Sequence, residues 1–164
     1  MTLTERLIAE LRQEADTTRR VLERVPEDKL GRKPHAKSMS LGQLALHIAV
    51  LPHRIAELVS EPVREIPNVP RPEAKSVDEL LSALAGSLES ADEKLRGWGD
   101  EGLEVMLRLT RDGQTVLQMP RYNMLRSVLF NHWVHHRGQL TVYLRLLDVP
   151  VPSVYGASAD EVPF

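Results

Sequence analysis

A chain of 164 residues with 42% hydrophobic and 4% aromatic side chains has room for one domain whose core is mostly Leu, Val, Ile and Ala. Its formal net charge of −2 comes from interspersed acids and bases, which excludes a basic nucleic-acid face and a polybasic membrane patch. The absence of cysteine excludes disulfides and any protein thiolate, as metal ligand or as nucleophile, and fits a cytoplasmic location. Met1 to Gln13 carries Glu5, Arg6, Glu10 and Arg12 without an apolar run, so no signal peptide is expected, and no stretch is apolar enough to span a bilayer.

The first predicted helix runs from Leu3 to about Val25. Thr2 and Glu5 make a capping-box pair at its start, and Leu3, Leu7, Leu11, Ala15, Leu22 and Val25 give one apolar stripe. Glu27 to Ser38, with Gly31 and Pro34, reads as a connection. A second helix begins at Ser40, capped with Gln43, and runs to about Ser60, burying Leu41, Leu44, Ile48, Leu51, Ile55 and Leu58. Pro52 lies inside it, removes a backbone hydrogen bond and should kink it. Glu61 to Lys75 holds Pro62, Pro67, Pro70 and Pro72 and cannot be regular helix. The third helix starts at Ser76, with Glu79 as capping partner, and ends near Gly97 or Gly99. Asp112-Gly113 is a hairpin-turn signal, so the long connection that follows could hold a short hairpin over Val105–Leu109 and Thr115–Gln118. The fourth helix starts near Pro120, ends near Leu147 ahead of Pro150 and Pro152, and leaves an irregular tail from Val151. The economical fold is all-α: an antiparallel four-helix bundle filling residues 1–164 as a single domain, with long irregular connections.

Five of the six histidines fall in the second and fourth helices. His132 and His136 are spaced one turn apart, in the middle of the set Leu125, Val128, Leu129, Leu140, Tyr143 and Leu147, and Arg137 points to the opposite side. That spacing lets two imidazoles of one helix chelate one metal. His47, at the margin of the second helix's stripe, can supply a third. Three neutral imidazoles with one open position suit a catalytic zinc-type site, and imidazole also suits nickel, copper and iron. A lone buried histidine is more often a hydrogen-bonded core residue. A one-turn pair plus a third histidine argues for a shared ion, because burying several imidazoles without one costs desolvation. His135 falls at the edge of the same face. With His135, Gln139 and Tyr143 on that face are candidate second-layer or substrate-contacting groups, plain packing being at least as good a reading for Tyr143. His35 and His53 are placed outside the site. Gly138 reads either as a point of close backbone approach or as a tolerated glycine. No catalytic residue is assigned.

The run Asn131-His132-Trp133-Val134-His135-His136-Arg137-Gly138-Gln139-Leu140, with Tyr143-Leu144-Arg145 and Val149-Pro150-Val151-Pro152, resembles the closing signature of the DinB/YfiT-like family. Ser38 to Ala49, with its single histidine His47, resembles that family's second helix, and the tail Ser153 to Glu161 is also similar. The resemblance implies a four-helix bundle with a mononuclear site, usually zinc or nickel. It carries the ligand role onto His47, His132 and His136, and it implies frequent homodimers. The family's name comes from DNA-damage induction and implies no DNA binding.

Three functions follow from different classes. A low-molecular-weight thiol at the open metal position, attacking an electrophilic small molecule, makes the chain a thiol S-transferase. A metal-bound water makes it a hydrolase, though the His132/His136 face offers no carboxylate as general base. A structural metal makes it a non-catalytic stress-response protein.

Overall fold

The structure, a computed structural model, describes residues 1–162. In chain order it consists of α1 (Leu3–Leu22), a short 3-10 helix (Glu27–Lys29), α2 (Leu41–Leu58), β1 (Val63–Glu65), α3 (Val77–Leu103), β2 (Met106–Arg111), β3 (Gln114–Pro120), α4 (Arg121–Met124), a π-helix (Leu125–Asn131) and α5 (His132–Leu146). The last three form one uninterrupted helical run. α2 packs on α3 and α5, and α1 packs on the same two helices. No helix among the described residues is long and apolar enough to cross a membrane.

The helix starts follow local chemistry. The Thr2 hydroxyl accepts from the Glu5 N–H at 3.1 Å and the Glu5 carboxylate accepts from the Thr2 N–H at 2.8 Å. Ser40 and Gln43 repeat this reciprocal cap on α2. At α3 the exchange is one-sided: Ser76 accepts from the Glu79 N–H, while the Glu79 carboxylate takes the Lys75 N–H. α3 runs past the expected stop to Leu103, broken where Gly99 adopts φ 59°.

The fold is not purely helical. β2 and β3 form the hairpin, and Asp112 (φ 51°) and Gly113 (φ 74°) make its left-handed two-residue turn. β1 adds to β2 in parallel, with Val63 opposite Arg108 and Glu65 opposite Thr110. The proline-rich connection is not helical, as its prolines require. It carries this short strand because the hairpin offers an unpaired edge, and the Glu65 carboxylate accepts from the Thr110 hydroxyl and the Asp112 N–H at the turn. The tail after α5 is irregular, as expected, but pinned. Asp160 pairs with Arg145 and accepts from the Val151 N–H, and Glu161 pairs with Arg20 and accepts from the Ser153 N–H.

Two features position the site. Pro52 has no N–H, so the Ile48 carbonyl one turn earlier loses its helical partner. α2 continues through it, and Ile48 O accepts instead from the Trp133 indole at 2.9 Å. Ile48 follows His47 and Trp133 follows His132, so this bond fixes the two histidine-bearing helices against each other beside the histidines. The second feature is Gly42. A Cβ there would meet Glu73 Cγ at 2.7 Å. Its absence lets the segment before α3 cross the start of α2.

Candidate metal centre

The helical run does not keep the phase of a straight α-helix. The π-helix over Leu125–Asn131 widens the turn ahead of His132, as such insertions often do near functional sites. The fully buried residues that follow are Trp133, Arg137, Leu140 and Leu144. His132 and His136 therefore stand half-buried at the margin of the buried face, not in its middle. Arg137, expected on the opposite side and outward, is 1% exposed. It pairs with Glu14 at 2.6 Å, donates to Glu14 O and the Thr18 hydroxyl, and reaches the Tyr155 hydroxyl at 2.7 Å. The π-turn shifts the register, and a count of apolar residues alone cannot see a buried ion pair. Glu14 did leave a signal, since it sits at helical spacing between Leu11 and Thr18 on the buried stripe of α1.

His47, His132 and His136 each offer one nitrogen, and the three lie within 4.8 Å of one another. Ring centroids are 5.5 Å apart for His47 and His132, 4.6 Å for His47 and His136, and 4.5 Å for His132 and His136. The His132 backbone N–H goes to Leu129 O, and the Val128 carbonyl takes the His132 Nδ1 at 3.2 Å. A carbonyl only accepts, so His132 carries its proton on Nδ1. The Gln139 Oε1 accepts from His136 Nδ1 at 2.7 Å. The two Nε2 atoms then face each other 2.7 Å apart, a separation that a shared proton or a shared cation satisfies. Holding the distal proton on a neighbour is how proteins fix a ligating imidazole.

The electrostatics agree. Burial, then the neighbouring His136 and His132, and then Arg54 and Arg71 push the His47 pKa down to about 4. Burial also lowers His132 and His136, partly offset by the Val128 and Gln139 hydrogen bonds. All three are neutral at pH 7 and ready to donate lone pairs. The donor set fits one divalent ion, with three imidazoles and no carboxylate in the cluster.

The other candidates fall outside this cluster. His135 is exposed, its ring centroid 5.1 Å from that of His136. Gln139 orients His136 as described. The Tyr143 hydroxyl donates to Met39 O at 3.1 Å, which ties α5 to the loop before α2 rather than to the histidines. His35 is exposed and accepts from the Lys37 N–H, and exposed His53 contacts the Ser90 hydroxyl. Gly138 has nothing within 4 Å of where a Cβ would stand, so no close approach within the chain requires it. Apolar and histidine spacing missed Arg54 and Arg71, whose charges reach His47. It also missed buried Arg121, which stacks on Trp98 at 4.5 Å and donates to the carbonyls of Val59, Ser60 and Gly102.

The DinB family model matches residues 1–162. The chain belongs to the DinB family. It is 28% identical over 155 residues to the uncharacterized protein YrdA of Bacillus subtilis, covering 90% of this chain and 85% of that one. A DinB-like protein of Bacillus cereus has a crystal structure that superposes with a TM-score of 0.71 at 23% identity, over 94% of this chain and 98% of that one. The DinB-like protein YjoA of Bacillus subtilis gives 0.67 at 20% identity, over 97% and 96%. At those identities the two structures speak for the fold alone.

Proposed function

We propose that His47, His132 and His136 hold one divalent ion, zinc or nickel, and that the chain is an S-transferase joining a low-molecular-weight thiol to an electrophilic small molecule. The observation that carries this is the convergence of three imidazole nitrogens within 4.8 Å of one another, with the Nε2 atoms of His132 and His136 2.7 Å apart and no carboxylate in the cluster. A divalent ion held by these nitrogens supplies Lewis acidity, which lets a thiol ionise near neutral pH. Val128 and Gln139 hold the Nδ1 protons of His132 and His136 and so keep both rings aimed. Trp133, on Ile48 O, holds the two histidine-bearing helices in register. The chain has no cysteine, so the sulfur must come with a cosubstrate. A hydrolase would want a general base near the metal, and the cluster contains no carboxylate, which leaves only the exposed His135, its ring centroid 5.1 Å from that of His136, for that part.

The reading takes the helices as an antiparallel bundle, in keeping with the packing of α1 and α2 on α3 and α5. It takes the working form as a cytoplasmic homodimer, for which the exposed Val142 and Leu146 of α5 offer an apolar surface. Light scattering at micromolar concentration tests the dimer.

Cobalt substitution tests the chemistry. Adding glutathione, bacillithiol or mycothiol should produce a sulfur-to-cobalt charge-transfer band. Conjugation to a haloarene or epoxide should need both metal and thiol and vanish in His132→Ala. Silence with all three thiols overturns the transferase reading. Ester hydrolysis then points to a hydrolase, and no turnover at all to a structural metal.

A further inference from the structure

A groove of about 290 Å³ opens beside His47, between α2 and the segment that follows it. One wall is Leu51, Ile55 and Leu58 of α2, and the other is Ile66, Pro67 and Val69. The second wall is held in place. Ile66 N–H donates to Thr110 O at 2.8 Å, so the strand pairing of β1 extends to the groove. Downstream, the Gln43 side chain of α2 holds Arg71 O at 3.0 Å. The cavity is thus preformed, apolar on both sides, and at the small end of the ligand-pocket range.

Its charges are unbalanced. Glu57 lines the groove but is neutralised by Arg64 at 3.3 Å and Lys94 at 2.9 Å. Arg54 also lines it, half-buried, and makes no hydrogen bond or ion pair among the described residues. Arg71, exposed and just beyond the residues that line the groove, is likewise unpaired among them, and its charge reaches both His47 and His136. A half-buried guanidinium with no acceptor favours an anion, and its planar donors match a carboxylate.

We infer that this groove binds a small amphipathic carboxylic acid, its apolar body between α2 and the 66–69 segment and its carboxylate on Arg54, with the exposed Arg71 adding positive charge nearby, and that such an acid, when it also carries a carbon–halogen bond or an epoxide, is the substrate brought against the three histidines. The cosubstrate thiolate forms the S–C bond as the carbon–halogen bond breaks and halide leaves, or as the epoxide C–O bond opens and its oxygen takes the proton the thiol lost. The substrate role rests on the transferase reading, whereas the binding does not. The apolar walls assign the groove to the electrophile rather than to the thiol, because low-molecular-weight thiols such as glutathione are polar along their whole length.

The test is binding of 4-phenylbutyrate against its neutral counterpart 4-phenylbutanol, by calorimetry and amide NMR, on the full chain with and without zinc. The acid should bind roughly ten-fold more tightly than the alcohol, the worth of a charged hydrogen bond, with shifts confined to the α2 and 63–69 walls. Arg54→Gln combined with Arg71→Gln should level the two probes. Val69→Asp, on an exposed loop, should weaken the acid without unfolding the chain. His132→Ala should leave all of this intact, which separates failure of the groove from failure of the metal site. Equal affinity for acid and alcohol, shifts mapping elsewhere, or indifference to the double arginine change would overturn the inference. Displacement of the acid by glutathione would overturn its assignment to the electrophile.

Discussion

On one face of α5, Trp133 and Arg137 are 1% exposed, and their polar groups are met by Ile48 O, Glu14, Thr18 and Tyr155. One residue before each, His132 and His136 are half-buried, and their Nε2 atoms meet each other at 2.7 Å. The first pair is tied to other elements of the protein, whereas the Nε2 atoms of the second pair meet only each other, beside His47. Buried polar groups are normally satisfied, so this is the face on which we place the proposed ion. The saturated face also supplies the precision, because each member is the chain neighbour of a histidine.

The sharpest way to break this comparison is to cut the saturated face. Arg137→Ala leaves Glu14 buried without its partner and should cost about 3–5 kcal/mol in a denaturant titration. A loss below about 1 kcal/mol would mean that the ion pair is no anchor. The open face should respond in the opposite sense. His47→Ala, His132→Ala and His136→Ala should each weaken zinc affinity by roughly 100-fold or more while costing the metal-free protein far less stability than Arg137→Ala does. Gln139→Ala frees His136 Nδ1 without removing a ligand, so its loss should be smaller, about ten-fold in zinc affinity. His135→Ala should do least, since its ring stands outside the cluster.

Acid offers a graded test. His47 titrates at about 4 in the folded chain against 6.5 ordinarily, and His132 and His136 are also lowered, burial being the first cause in each. The unfolded chain therefore binds protons that the folded one refuses. These groups contribute their full stability above pH 6.5 and lose it as pH falls from there toward about 4. Unfolding of the metal-free protein should show this decline, and His47→Ala should flatten it. A triad that titrates near 6.5 would place the rings in water.

The helices were legible in the sequence because their stripes and caps are local: Thr2 with Glu5, Ser40 with Gln43, and the leucines at turn spacing. The hairpin was legible for the same reason, from Asp112-Gly113. β1 was not, because Val63–Glu65 becomes a strand only when the hairpin supplies an edge. The three histidines could be picked out from spacing and from the family resemblance. Their true phase could not, because the π-helix adds a shift that no residue pattern announces, and Arg137 looked outward for the same reason. Pro52 was legible as a lost backbone hydrogen bond inside the second helix. Its consequence, a freed carbonyl that docks Trp133, needed the neighbouring helix to be present.

The central claim is that three imidazoles and one divalent ion form the centre. The most direct measurement is metal analysis of tag-free protein reconstituted with zinc and dialysed, with His132→Ala treated in parallel. The account predicts one equivalent bound per chain in the native protein and almost none in the variant. No retained zinc in the native protein, or equal zinc in both, would contradict it.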